Sequence, residues 1–292
     1  MSKKNIGERI FRPARQEAHD ASKTLETPQT QSAAYKLAFQ DDEFLLREDL
    51  RPIRFQLELL KPHVLLEEAQ IASTFVFYGS ARIPSPEKAQ SLIDAAKTDR
   101  DLRIANNLAA KAKYYDEARK LATIAAQFPA NSAGCHHFVV CSGGGPSIME
   151  AANRGAHEVG AQTIGLNIVL PHEQAPNAYV TPELSFQFHY FALRKMHFLI
   201  RARALAVFPG GFGTFDEFFE LLTLVQTGKI DPIPILLFGR DFWNRVVDFE
   251  ALADEGVIAH SDLDLINWVE TAEEAWAVVE AFYEKEGEPG CD

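Results

Sequence analysis

The stretch ALAVFPGGFGTFDEFFELLTLV, residues 204–225, decides how the chain is built. Ala204 to Phe208 is a short apolar run that stops at Pro209, and Phe218, Phe219, Leu221, Leu222 and Val225 then recur at helical spacing. Between the two, Gly210, Gly211 and Gly213 leave the backbone amides unobstructed. A buried strand that passes through a glycine turn into a helix N-terminus is the repeating unit of a parallel α/β sheet.

The same grammar recurs on either side. Ser73–Tyr78, His137–Cys141, Thr163–Asn167 and Ile233–Phe238 are short apolar runs that end near Gly, Pro or Asn, and a last strand is expected near Leu265–Val269. Helical patterns separate them: Pro86–Lys97, Leu102–Ala126, Ile148–Glu158, Phe242–Glu255 and Thr271–Glu284. This alternation predicts an α/β domain with a doubly wound parallel sheet and crossover helices. The connection after the first strand is longer than a minimal crossover.

Upstream, residues 1–32 are polar and poor in large apolar side chains, and are expected to form a flexible arm. Residues 33–70 carry Leu37, Phe39, Phe44, Leu46, Leu50 and Leu60 at mixed helical spacing, which predicts an N-terminal helical extension. The α/β domain is then expected to span 71–292. With 292 residues, 47% hydrophobic and 24% charged, the chain has the balance of a folded globular protein. A net charge of -12 disfavours bulk nucleic-acid binding. Three cysteines without a CxxC pair suit a reducing compartment and argue against structural zinc. No apolar run approaches the ~20 residues that span a bilayer, so a cytoplasmic protein without membrane partners is expected.

Three loops sit where a parallel sheet collects anionic ligands, at the carboxyl ends of strands. Gly79-Ser80-Ala81-Arg82 offers a hydroxyl and a guanidinium, although a tight turn with a surface arginine reads equally well. Ser142-Gly143-Gly144-Gly145-Pro146-Ser147 places three glycines before a helix, so that their amides can converge on one oxyanion. It lacks both the GK[ST] ending of a Walker loop and the GxGxxG dinucleotide pattern. Residues 209–217 add the Thr214 hydroxyl, with Asp216 and Glu217 in the first helical turn. The adjacent His136-His137 point to opposite faces of a strand, which argues against a shared metal, and Cys141 reads as a small buried residue.

Together PGGFGTFDE, the upstream Leu193-Arg194-Lys195, the GSAR turn and SGGGPSIMEAAN (142–153) resemble the LONELY GUY family of cytokinin-activating phosphoribohydrolases, long labelled "possible lysine decarboxylases". The resemblance spans about Phe75 to Phe238, and the N-terminal segment and the long insertion make the chain similar to the family's longer subgroup. It implies a Rossmann-like fold and hydrolysis of a nucleoside 5′-monophosphate, AMP or its N6-isopentenyl form, to free base and ribose 5-phosphate. By matched position it implies catalytic roles for Arg194 and Glu217. Substrate contacts are implied for Lys195, Gly210, Gly211, Gly213, Thr214, Glu173 and Thr223. No cofactor and no metal are implied, and family members assemble at least as dimers, so a homo-oligomer, a dimer or an assembly of dimers, is expected.

The chemistry is consistent with these residues on its own terms. Cleaving an N-glycosidic bond passes through an oxocarbenium-like ribosyl cation, which a fixed carboxylate such as Glu217 stabilises while it activates water. Arg194 can hold Glu217 ionised and contact the nucleotide, or serve as a structural ion pair. Glu150 can meet a ribose hydroxyl, or be an ordinary helix-surface acid. Two other classes fit the same loops: a nucleotide or molybdenum-cofactor carrier that binds without turnover, and an amino-acid decarboxylase that would need Lys195 as a Schiff-base amine.

Overall fold

The central element of the fold is β1 (Thr74–Tyr78), in which Phe75, Val76 and Phe77 have no exposed surface. A strand this apolar on both faces belongs in the middle of a covered parallel sheet. The computed structural model describes residues 12–130, 134–171 and 175–286. The remaining strands are β2 (Val139–Ser142), β3 (Thr163–Ile168), β4 (Ser185–Phe188), β5 (Ala202–Val207), β6 (Ile235–Phe238) and β7 (Asn267–Val269). They pair in parallel in the order β4-β3-β2-β1-β5-β6-β7. The expected doubly wound α/β sheet is therefore present. Its topological switch lies between β1 and β5, where Tyr78 aligns with Val207.

Strand alternation separates two layers. Phe75 and Phe77 join Val140, Ala204, Ala206 and Phe238 in a core closed by the Lys113–Ala126, Ile148–Glu158 and Ala272–Glu286 helices. Tyr78 faces the other way, its ring meeting Phe198 of the Phe191–Ile200 helix edge-on with centroids 5.0 Å apart. The Phe212–Gln226 helix also packs on β1, burying Phe218 and Leu221.

Several element boundaries differ from those expected. β4 was not anticipated: Ser185-Phe-Gln-Phe188 is a four-residue edge strand with alternating burial, too short for its period to stand out. The pattern over Leu102–Ala126 divides into Asp99–Ala109 and Lys113–Ala126. That over Phe242–Glu255 divides at Asp248, whose side chain accepts from the Ala251 N–H and starts a second helix, Phe249–Asp254. Within 1–32, Ala14–Ala21 is helical and buries no residue. Within 33–70 the long Arg51–Glu68 helix, with Pro62 inside it, follows a run of 3-10 turns. The chain divides into units 1–57 and 58–292. No helix among the described residues is long and apolar enough to cross a membrane.

Candidate functional site

A cleft of about 570 Å³ opens over the switch point, at the carboxyl ends of β1 and β5. The three loops singled out in the sequence contribute unequally. Gly79, Ser80 and Arg82 line it, as do Gly143, Gly211, Gly213, Thr214, Asp216, Arg194 and Glu217. The Ser80 hydroxyl accepts from the Arg82 N–H at 3.0 Å, which folds the GSAR turn back on itself and leaves the Arg82 side chain at the exposed rim.

The glycine turn after β5 starts the Phe212–Gln226 helix with Gly211 as N-cap and no side-chain cap. First-turn N–H groups of a helix have no intrahelical acceptor, so this end of the cleft is built to receive an anion. Gly210 is required by close approach: a Cβ there would stand 2.1 Å from the Thr214 hydroxyl.

The second glycine run behaves differently from expectation. Only Gly143 of the three lines the cleft. Gly144 has a left-handed backbone, φ 71°, its N–H donates to the Ser142 hydroxyl at 3.0 Å, and its carbonyl accepts from the Asn177 N–H at 2.8 Å. Asn177 also donates to the Gly145 carbonyl at 3.0 Å. The turn is thus held by side-chain amides, with the buried Asn153 accepting from Ser142 at 2.7 Å and from the half-buried Asn177 at 2.9 Å. The Gly144 amide is therefore committed inside the turn rather than turned to a ligand.

Glu217 is 8% exposed, and burial pushes its carboxyl up to about 7 although the charges of Arg194 and Lys195 pull it down; Asp216 and Glu220 push in the same direction as burial. A carboxyl poised there exchanges protons near neutrality. Arg194, from the facing helix, donates through Nε to the Leu166 carbonyl at 2.8 Å and lies over the Phe198 ring at 5.2 Å. A Cβ on Gly143 would come 2.7 Å from its Nη2. The guanidinium is therefore fixed by backbone, ring and glycine at once.

Other expected residues lie elsewhere. Lys195 is outside the lining; its ammonium is tied to Asp216 at 2.9 Å and Glu220 at 3.0 Å, bracing the two helices that carry Arg194 and Glu217. Glu150 accepts from the Tyr115 hydroxyl at 2.9 Å and does not line the cleft. Thr223 is exposed and donates to the Phe219 carbonyl at 2.8 Å, about 13 Å along the helix from Thr214. Glu173 lies outside the described residues. The sequence reading missed the apolar wall of Tyr78, Met149, Phe191, Phe198 and Phe212, the last 96% exposed at the helix start. For Tyr78 a signal existed: it is the last strand residue before the GSAR turn, at the carboxyl edge where sites form. Burial pushes the Cys141 thiol up, in keeping with an inert residue.

Comparison with known proteins bears on this arrangement. Residues 149–279 match a family model described as "Possible lysine decarboxylase", a range containing both Arg194 and Glu217. Two Arabidopsis thaliana cytokinin riboside 5′-monophosphate phosphoribohydrolases, LOG3 and LOG4, are each 26% identical over 139 residues. The chain resembles the LONELY GUY phosphoribohydrolases. The LONELY GUY-like match covers 47% of this chain and 63% of those relatives' length. Among solved structures, a molybdenum cofactor binding protein from Rippkaea orientalis is 16% identical with a TM-score of 0.42, covering 72% of this chain and 97% of that one. The Moco carrier protein from Chlamydomonas reinhardtii is 19% identical with a TM-score of 0.41, over 73% and 99%.

Proposed function

We propose that the protein hydrolyses the N-glycosidic bond of a purine nucleoside 5′-monophosphate, of the AMP or N6-isopentenyl-AMP type, releasing free base and ribose 5-phosphate. The reading rests on one observation: a buried carboxyl at about 7, beside a fixed guanidinium, in a cleft that ends on an uncapped helix N-terminus. The helix end and Thr214 take the 5′-phosphate, and Arg82 closes over it from the rim. The apolar wall takes the base. Ionised Glu217 opposes the positive charge that develops on the ribose as the bond to the base breaks, and accepts a proton from the attacking water. Arg194 contributes the charge that keeps Glu217 ionised and a donor toward the nucleotide.

Amino-acid decarboxylation is disfavoured despite the family model's description. A Schiff-base lysine must present a neutral amine, and Lys195 is held charged by Asp216 and Glu220, which raise its pKa against the opposing effect of burial.

The test is release of adenine from AMP by the purified chain, with adenosine alongside. AMP is expected to turn over and adenosine poorly, since the helix N-terminus recognises the phosphate. Comparable rates for the two would overturn the phosphate assignment, and AMP binding without any base release would point to a carrier.

The same reading carries a cytoplasmic location and a homo-oligomer, a dimer or an assembly of dimers. Its support is the apolar surface left exposed on the extension, Phe39 56%, Leu46 70%, Leu57 51% and Leu60 53%.

A further inference from the structure

Tyr78 ends β1 at the floor of the cleft. The residue is 5% exposed, and its hydroxyl is buried without a hydrogen-bond partner. Leaving a buried hydroxyl unpaired costs about 1–3 kcal/mol. Phenylalanine would fill the ring's space without that cost. The hydroxyl therefore calls for a function.

Its surroundings say which one. The Tyr78 ring and the Arg194 guanidinium both rest on the Phe198 ring, 5.0 Å and 5.2 Å from its centroid. Tyr78 aligns with Val207, two residues before the Pro209 turn that delivers Glu217. Among the charged groups, Glu217 acts on the phenol most strongly, and burial keeps the phenol protonated well above the usual range, so it is a donor at any working pH.

We propose that Tyr78 is a positioning residue for Glu217: when a bound nucleotide excludes water from the cleft, the hydroxyl donates to the Glu217 carboxylate and aims it at the anomeric carbon. The inference rests on the phosphoribohydrolase reading. A donor to the ionised form favours that form, so the hydroxyl keeps Glu217 competent as a base at lower pH. The other charges facing Glu217 are Arg194 and Lys195 from the Phe191–Ile200 helix and Asp216 and Glu220 from its own helix. The Cys141 thiol, which faces Tyr78 from β2, stays neutral. All of these remain in Tyr78→Phe, so a change in Glu217 reports the hydroxyl.

The experiment is adenine release from AMP by Tyr78→Phe across about pH 5 to pH 9. kcat should fall about tenfold with KM for AMP within about twofold, and the acid limb of the kcat profile should move up by about half to one pH unit. A kcat and limb coinciding with the parent's overturn the proposal, because a packing role leaves both in place. The second measurement does not depend on turnover: in the AMP complex of ¹³C-glutamate-labelled protein, the Glu217 carboxyl signal, assigned through Glu217→Gln, should titrate at higher pH in Tyr78→Phe than in the parent. Coincident titrations overturn the role of Tyr78. If AMP binds and the titrations differ while neither protein releases adenine, the phosphoribohydrolase reading falls and the Tyr78–Glu217 pairing stands; absence of AMP binding overturns both.

Discussion

Glu217 concentrates the energetic conflict of the site. Its carboxyl is buried and pushed up to about 7 from an ordinary 4.5, so the folded state binds its proton more tightly than the unfolded chain does. The sign follows: below about pH 4.5 both states are protonated and nothing is lost, stability falls as pH rises between about 4.5 and 7, and above 7 the full cost of about 3 kcal/mol is present. Glu217→Gln is therefore expected to raise the urea midpoint at pH 8 and to leave it near the parent's at pH 4.5; an equal shift at both would refute the burial account. The same variant should lower turnover of AMP by roughly two to four orders of magnitude with AMP binding retained, as titration calorimetry would measure. Arg194→Ala should weaken binding as well as turnover, and the two losses should be less than additive because the guanidinium acts partly through the carboxylate. A stability cost at a buried charged group is the trade-off that the proposed catalytic role of Glu217 calls for.

At the scale of elements, the helices Phe191–Ile200 and Phe212–Gln226 bring Arg194 and Glu217 together, and Lys195 braces one to the other through Asp216 and Glu220. The turn after β2 is set by a separate device, the buried Asn153. Its side chain accepts from Ser142 and Asn177 and donates to Thr163 and to the Ile164 carbonyl at 3.3 Å. Truncating it leaves several buried groups unsatisfied at once. Asn153→Ala is expected to cost about 2–4 kcal/mol in denaturant unfolding, far more than an exposed substitution such as Thr223→Ala. A cost below about 0.5 kcal/mol would show that water or relaxation replaces the network.

At the scale of the molecule, the doubly wound sheet places the cleft at its switch point, while the exposed apolar residues of the extension lie on other elements. Light scattering at micromolar concentration is expected to give a mass above that of one chain, and deletion of the residues before Ala33 should leave it unchanged, since the described part of that arm buries nothing. A monomeric mass would remove the assembly reading without touching the site.

The alternation of apolar runs, glycine turns and amphipathic helices by itself determined the α/β class, the strands other than β4, and the loops that meet at the cleft. These are legible because strand and helix periods and glycine's conformational freedom are local properties of the chain. The pairing of PGGFGTFDE with a distant Arg194-Lys195 was legible only through resemblance, since no local rule links them. Tertiary structure decided the rest. It turned Glu150 toward Tyr115 and Lys195 toward Asp216 and Glu220, committed the Gly144 amide inside its own turn, and left the Tyr78 hydroxyl unpaired in the cleft that Glu217 also lines. The reason is physical: a side chain's partners and its proton affinity are set by burial and by neighbours far away in sequence, and neither is encoded in the spacing of residues along the chain.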